Sequence, residues 1–206
     1  MLKIRTASTA ALPFIIGFLA LSGIGGSIFF FTHEPNNQGF IDYPNITNFH
    51  VIPGAIYLVL APFQFSATLR KRSLNTHRFA GRVLSAIGLV VGATALFLGL
   101  IVPYSGVSEQ LVIGFFGVLF LFSIVRGFLY IRSKEIALHR EWMMRAFAIG
   151  LSIATMRLIF IPALIIVGNP TRQETEMLSI IAFTIAFVLH CSIAEIWIRT
   201  TRKAIA

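Results

Sequence analysis

Residues 79–102 read FAGRVLSAIGLVVGATALFLGLIV, with Arg82 the single charged side chain among them. A helix of that length, rising about 1.5 Å per residue, is roughly 36 Å long. The hydrocarbon of a bilayer is about 30 Å thick, so the stretch predicts a membrane-crossing helix. A strand would not serve, because an open strand leaves its N–H and C=O groups unpaired in lipid. Gly81, Ser85, Gly88, Gly92 and Gly99 recur on one face, and Gly88 and Gly92 form a GxxxG pair. Small residues of this kind let two helix backbones approach closely where no hydrophobic effect drives them together.

The same reading extends outward to residues 11–31, 49–69, 109–131, 142–166 and 177–198. The expectation is an all-α, polytopic membrane helical bundle with six transmembrane helices, forming one domain over residues 1–206. Composition agrees: 56% of the chain is hydrophobic and 12% charged, against about 25% charged in a soluble domain. Lys3 and Arg5 ahead of the first apolar stretch resemble a signal peptide. That stretch outruns the usual h-region of about 7–15 residues, so it is expected to remain as a helix. Pro53 and Pro62 fall in the second span, where Pro62 near mid-membrane predicts a kink. Asn45-Ile46-Thr47 matches the short glycosylation triplet.

The basic residues predict the orientation. Lys3 and Arg5, then Arg70, Lys71, Arg72 and Arg78, then Arg132, Lys134 and Arg140, then Arg199, Arg202 and Lys203 all fall on one side of a six-span arrangement. Arg172 alone lies in the opposite loops. Positive charge collects on cytoplasmic loops, so both termini are expected inside, N-in/C-in, in the cell membrane. Topology thus accounts for the net charge of +9, and no nucleic acid is expected as a partner. The expected partners are the lipid bilayer and a homo- or hetero-oligomer docked on the Gly-rich face of the third span. One cysteine, Cys191, leaves no internal disulfide and no thiol-pair or zinc spacing.

Ionisable groups inside a membrane are expensive and mark candidate sites. His77 and His139 each open a span, each is followed by arginine, and both lie at the basic level. Two imidazoles so placed could hold a haem iron axially; the plainer reading sets them among lipid headgroups and loop carboxylates such as Glu135 or Glu141. Arg126, Arg145, Glu195 and the deeper His190 form a candidate polar cluster, and Arg82 and Arg145 could offset haem propionates; structural pairing is the plainer reading again. Arg157 lies deep in the fifth span with no acid in the spans at its level, which points to a buried anion contact or to backbone carbonyls. His50 opens the second span on the far side, where His33 could approach it.

Residues 77–82 (HRFAGR) and 139–145 (HREWMMR), with Arg157 in the helix that follows, resemble the DUF2306 family of bacterial multi-spanning membrane proteins over roughly residues 48–200. The resemblance implies a membrane bundle and no assigned activity. The histidine layout is loosely similar to that of two-haem cytochromes and ferric-reductase-like proteins. It departs from them in having only His77 and His139 level with each other. The two histidine-arginine openings, and the endings LYIR at 129–132 and IWIR at 196–199, suggest a repeated hairpin.

No metalloprotease HExxH, P-loop, dinucleotide fingerprint or nucleophile elbow occurs. Three functions remain: transport or handling of an anionic or lipidic substrate; a b-type haem redox protein with His77 and His139 as axial ligands; and a structural or accessory membrane subunit.

Overall fold

The computed structural model describes residues 17–26 and 41–203. Among these residues the helices with both bounds described are, in order, α1 (Gly17–Gly26), α2 (Pro44–Gln64), α3 (Ala67–Arg72), α4 (Leu74–Ile101), α5 (Gly106–Arg132), α6 (Ile136–Val167) and α7 (Arg172–Lys203). Five of them, α2, α4, α5, α6 and α7, are long and apolar enough to cross a membrane.

This corrects the expected count of six. The first expected span, 11–31, is described only over Gly17–Gly26. The described part is about 15 Å long, half the thickness of the hydrocarbon. The N-in/C-in assignment rested on an even number of crossings and falls with the count. Lys3, Arg5 and His33 lie outside the described residues.

The spans are shifted and extended relative to expectation. α2 begins and ends about five residues early, because Pro44 takes the first helical position, where its missing N–H costs nothing. Pro62 therefore sits in the last turn rather than at mid-membrane. The turn closes with Phe65 and Ser66 donating to the carbonyls of Pro62 and Phe63 at 3.1 and 3.2 Å. The basic stretch after α2 is helical and not a loop. Ser66 caps α3 by accepting from the Leu69 N–H, and Ser73 caps α4 by accepting from Thr76, both at 3.3 Å. Thr171 and Glu174 form a reciprocal capping box at the start of α7, with Glu174 accepting from the Thr171 N–H at 2.8 Å and Thr171 from the Glu174 N–H at 3.3 Å. Asn45 and Thr47 lie in the first turn of α2, with Thr47 buried.

Successive spanning helices pack as neighbours: α2 on α4, α4 on α5, α5 on α6 and α6 on α7, with α2 and α6 also touching. The Gly-rich face of α4 is filled from within the chain. A Cβ at Gly92 would come within 2.5 Å of Leu121, one at Gly99 within 2.5 Å of Ile113, and one at Gly88 within 2.7 Å of Ile124, all on α5. The face expected to dock an oligomer partner thus seats α5. Around the outside, Phe79, Leu111, Phe115, Ile166 and Ile196 are exposed. In water that much exposed apolar surface would be unusual, whereas lipid tolerates it.

Candidate functional site

The polar residues gather in three places. The first is the basic end of α5, α6 and α7. Arg145 donates from Nε and a terminal nitrogen to the two carboxylate oxygens of Glu195, at 2.5 and 3.2 Å. Arg202 makes the same two-pronged contact with Glu141. The pairs run in opposite chain directions, as antiparallel helices require: four residues separate Glu141 from Arg145 on α6, and seven separate Glu195 from Arg202 on α7. Both spacings keep a pair on one helix face. The sequence carried this signal in the positions of Glu141 and Arg202, which were read instead as a loop carboxylate and a topological charge.

Arg126 does not join these carboxylates. It donates to the Tyr130 hydroxyl, and its guanidinium carbon lies 4.7 Å from the Tyr130 ring centroid and 5.8 Å from that of Trp142. Arg145 approaches Trp142 to 4.6 Å, so both cations rest on aromatic faces. His190 stands apart from them, within 2.7 Å of the Thr155 hydroxyl, adding another tie between α6 and α7.

The second place holds the histidine-arginine openings. His77 and His139 are each the fourth residue of their helix, α4 and α6. His139 Nδ1 lies 2.8 Å from the Gly127 carbonyl of α5. A carbonyl only accepts, so Nδ1 carries the proton and Nε2 remains uncommitted. Arg82 is exposed further along α4. Among the described residues, no group of three or more His, Cys, Asp or Glu side chains could hold a metal ion.

The third place is a cavity of about 100 Å³ reached by all the described helices except the short α3. His50 and Arg157, which the sequence gave no reason to connect, both line it. His50 Nδ1 is 3.1 Å from the Val91 carbonyl and 3.2 Å from the Thr94 hydroxyl of α4. Arg157 donates one hydrogen bond, 3.1 Å long, to the Gly23 carbonyl of α1. Among the described residues no Asp or Glu lines the cavity, and no Lys or Arg besides Arg157. The Tyr57 side chain is only 4% exposed and also lines it. Its hydroxyl has no hydrogen-bond partner among the described residues.

The space exists because Gly54, Gly92, Gly117 and Gly150 bring no side chain to the walls of α2, α4, α5 and α6. The remaining walls are apolar, chiefly Leu58, Ile113, Phe120, Ile149, Ile153 and Phe187. Arg157 lies about ten residues, or roughly 15 Å, from the end of α6, on the side away from the basic cluster. Chemically the cavity offers one fixed cation, one phenol donor and an oily wall.

Residues 47–198 match the model of a family described as predicted membrane protein (DUF2306), which covers about three quarters of the chain. No curated protein and no solved structure matches.

Proposed function

Since the chain belongs to the DUF2306 family and is a multi-pass membrane protein, we propose that it binds an anionic ligand within the bilayer, in the cavity at Arg157, and that this binding serves transport or handling of that ligand. The observation that carries the reading is the Arg157 guanidinium, whose one hydrogen bond among the described residues goes to a main-chain carbonyl and which no described carboxylate accompanies in the cavity. An unpaired charge at this depth costs several kcal/mol, on the order of 3 or more. A bound anion offsets that cost, as Glu195 does for Arg145 at the basic end. The test is ligand-dependent thermal stability of the purified protein with a panel of small organic anions. An anion at about 100 times its Kd stabilises a folded protein by about 2.7 kcal/mol, and Arg157→Gln removes that gain. A panel without effect on the wild-type protein, at concentrations into the millimolar range, refutes the reading.

A second reading, a b-type haem held by His77 and His139, is supported by their equal positions in the first turns of α4 and α6. It is also supported by His139, which spends Nδ1 on a carbonyl and keeps Nε2 for a ligand, the arrangement that orients a metal-binding imidazole. It places the chemistry at the opposite end of the bundle from Arg157.

A further inference from the structure

We infer that the ligand of the Arg157 cavity is a monoanionic carboxylate with a short aliphatic tail, and that phosphate-bearing ligands are selected against. The inference rests on the proposed anion site and narrows it to one chemical class.

Charge comes first. Arg157 brings one positive charge, and among the described residues no other Lys or Arg and no acid lines the cavity. A carboxylate closes that balance at zero. A phosphate monoester carries about −1.5 to −2 at neutral pH, leaving roughly one negative charge desolvated without a partner, a state that buried charges avoid. His50 donates from Nδ1 to the Val91 carbonyl, so it becomes a second cation only by taking a proton on Nε2, which costs free energy in an apolar wall that already holds the Arg157 charge.

Geometry agrees with charge. A guanidinium presents its donors as a planar fork that fits the two oxygens of one carboxylate. One terminal nitrogen of Arg157 is engaged by Gly23, and the other N–H groups have no partner among the described residues. The Tyr57 hydroxyl adds one donor on the same cavity. The fork and the hydroxyl together satisfy both carboxylate oxygens; the fork by itself fits a phosphate as well, so charge is what separates the two classes.

Size and wall chemistry set the tail. A dry cavity of about 150 Å³ holds benzene, so a volume of about 100 Å³ suits a chain of a few carbons. The wall beyond Arg157 is made of Leu58, Ile113, Phe120, Ile153 and Phe187. Each methylene buried there contributes about 0.8 kcal/mol, roughly fourfold in affinity.

The experiment is equilibrium dialysis of the full chain in detergent against radiolabelled butyrate, with butyl phosphate, acetate and butan-1-ol as unlabelled competitors. Saturable binding of one butyrate per chain is expected, with butyl phosphate and butan-1-ol each at least tenfold weaker. Acetate, two methylenes shorter, is expected to be about fifteenfold weaker. Arg157→Gln abolishes butyrate binding, and Arg157→Lys, which keeps the charge and loses the fork, weakens it about tenfold. Should Arg157→Gln fail to fold, Gly54→Val serves instead. A Cβ at Gly54 comes no closer than 3.9 Å to Val91, so valine enters the cavity without a backbone clash and should block butyrate. Butyl phosphate binding as tightly as butyrate overturns the carboxylate assignment and leaves the anion site standing. Butyrate binding that survives both Arg157→Gln and Gly54→Val overturns the placement. Absence of binding by every anion overturns the inference together with the anion site.

Discussion

Arg157 in α6 donates to the main-chain carbonyl of Gly23 in α1, 3.1 Å away and 134 residues distant in sequence. One turn further along α1, Gly26 packs on the stem of the same side chain. A Cβ added there would stand within 3.0 Å of the Arg157 Cβ and closer still to its Cδ. The short helix is thus keyed to the buried cation twice, once by a hydrogen bond and once by the lack of a side chain.

Gly26→Ala should therefore loosen α1 from the bundle. The nearest atom, Cδ, can swing away with the side chain, but the Arg157 Cβ is fixed to its helix, so full relief requires movement of a helix. The expected loss is about 1–3 kcal/mol, the usual cost of overpacking. Gly25→Ala is the control, since nothing lies within 4 Å of a Cβ there, and it should be neutral or slightly stabilising. Thermal unfolding in detergent separates the two. Equal midpoints for both variants would show that α1 does not pack on Arg157.

Gly92→Ala tests the α4–α5 seam in the same way. Its Cβ would meet Leu121 at 2.5 Å and Phe120 at 2.9 Å, and the predicted destabilisation is again about 1–3 kcal/mol. Because these contacts lie within one chain, the midpoint should fall without dependence on protein concentration. A midpoint that shifts with concentration would move the effect to an interface between copies.

How much of this was legible follows from which forces act locally. The bundle was readable because lipid imposes length and apolarity on each span separately, and residues 79–102 satisfy both on their own. The family was readable from two short motifs at 77–82 and 139–145. The number of crossings was not: residues 11–31 are apolar enough to qualify, while the described helix there covers only Gly17–Gly26. Helix ends were misplaced where caps decide them, at Pro44, Ser66 and Thr171. The Arg157 cavity is a relation among six helices, and nothing in the spacing of His50, Tyr57 and Arg157 announces that they share one space. Arg157 itself was conspicuous, because a lone cation far from any span acid has no local explanation.

The two carboxylate–guanidinium pairs make a graded prediction. The Arg145–Glu195 side chains are 19% and 39% exposed, whereas the other pair joins a buried Glu141, 12% exposed, to an Arg202 that is 58% exposed. Solvent screens an exposed partner, so a double-mutant cycle with Arg145→Met and Glu195→Gln should give the larger coupling, about 1 kcal/mol. The Arg202→Met and Glu141→Gln cycle should give about half that. Couplings near zero in both cycles would leave α6 and α7 held by apolar packing alone.

The final prediction separates the two ends of the molecule. If the histidine openings hold a haem, protein purified from haem-replete cells absorbs as a six-coordinate, low-spin b-type species, with sharp bands on dithionite reduction. His139 is the more informative ligand to remove. Its Nδ1 is fixed on the Gly127 carbonyl at 2.8 Å, so its ring orientation is set by α5 rather than by iron. His139→Gln loses the iron ligand but can keep a donor for that carbonyl; His139→Ala loses both. Haem ligation therefore predicts loss of the low-spin bands in both variants, with a larger fall in thermal stability for alanine. A purely structural histidine predicts a colourless wild type, a stability loss of about 1 kcal/mol for alanine and little for glutamine. Butyrate binding at Arg157 should be unchanged in either variant, since His139 does not line that cavity. Loss of butyrate binding in His139→Gln would join the two ends into one device and overturn their independence.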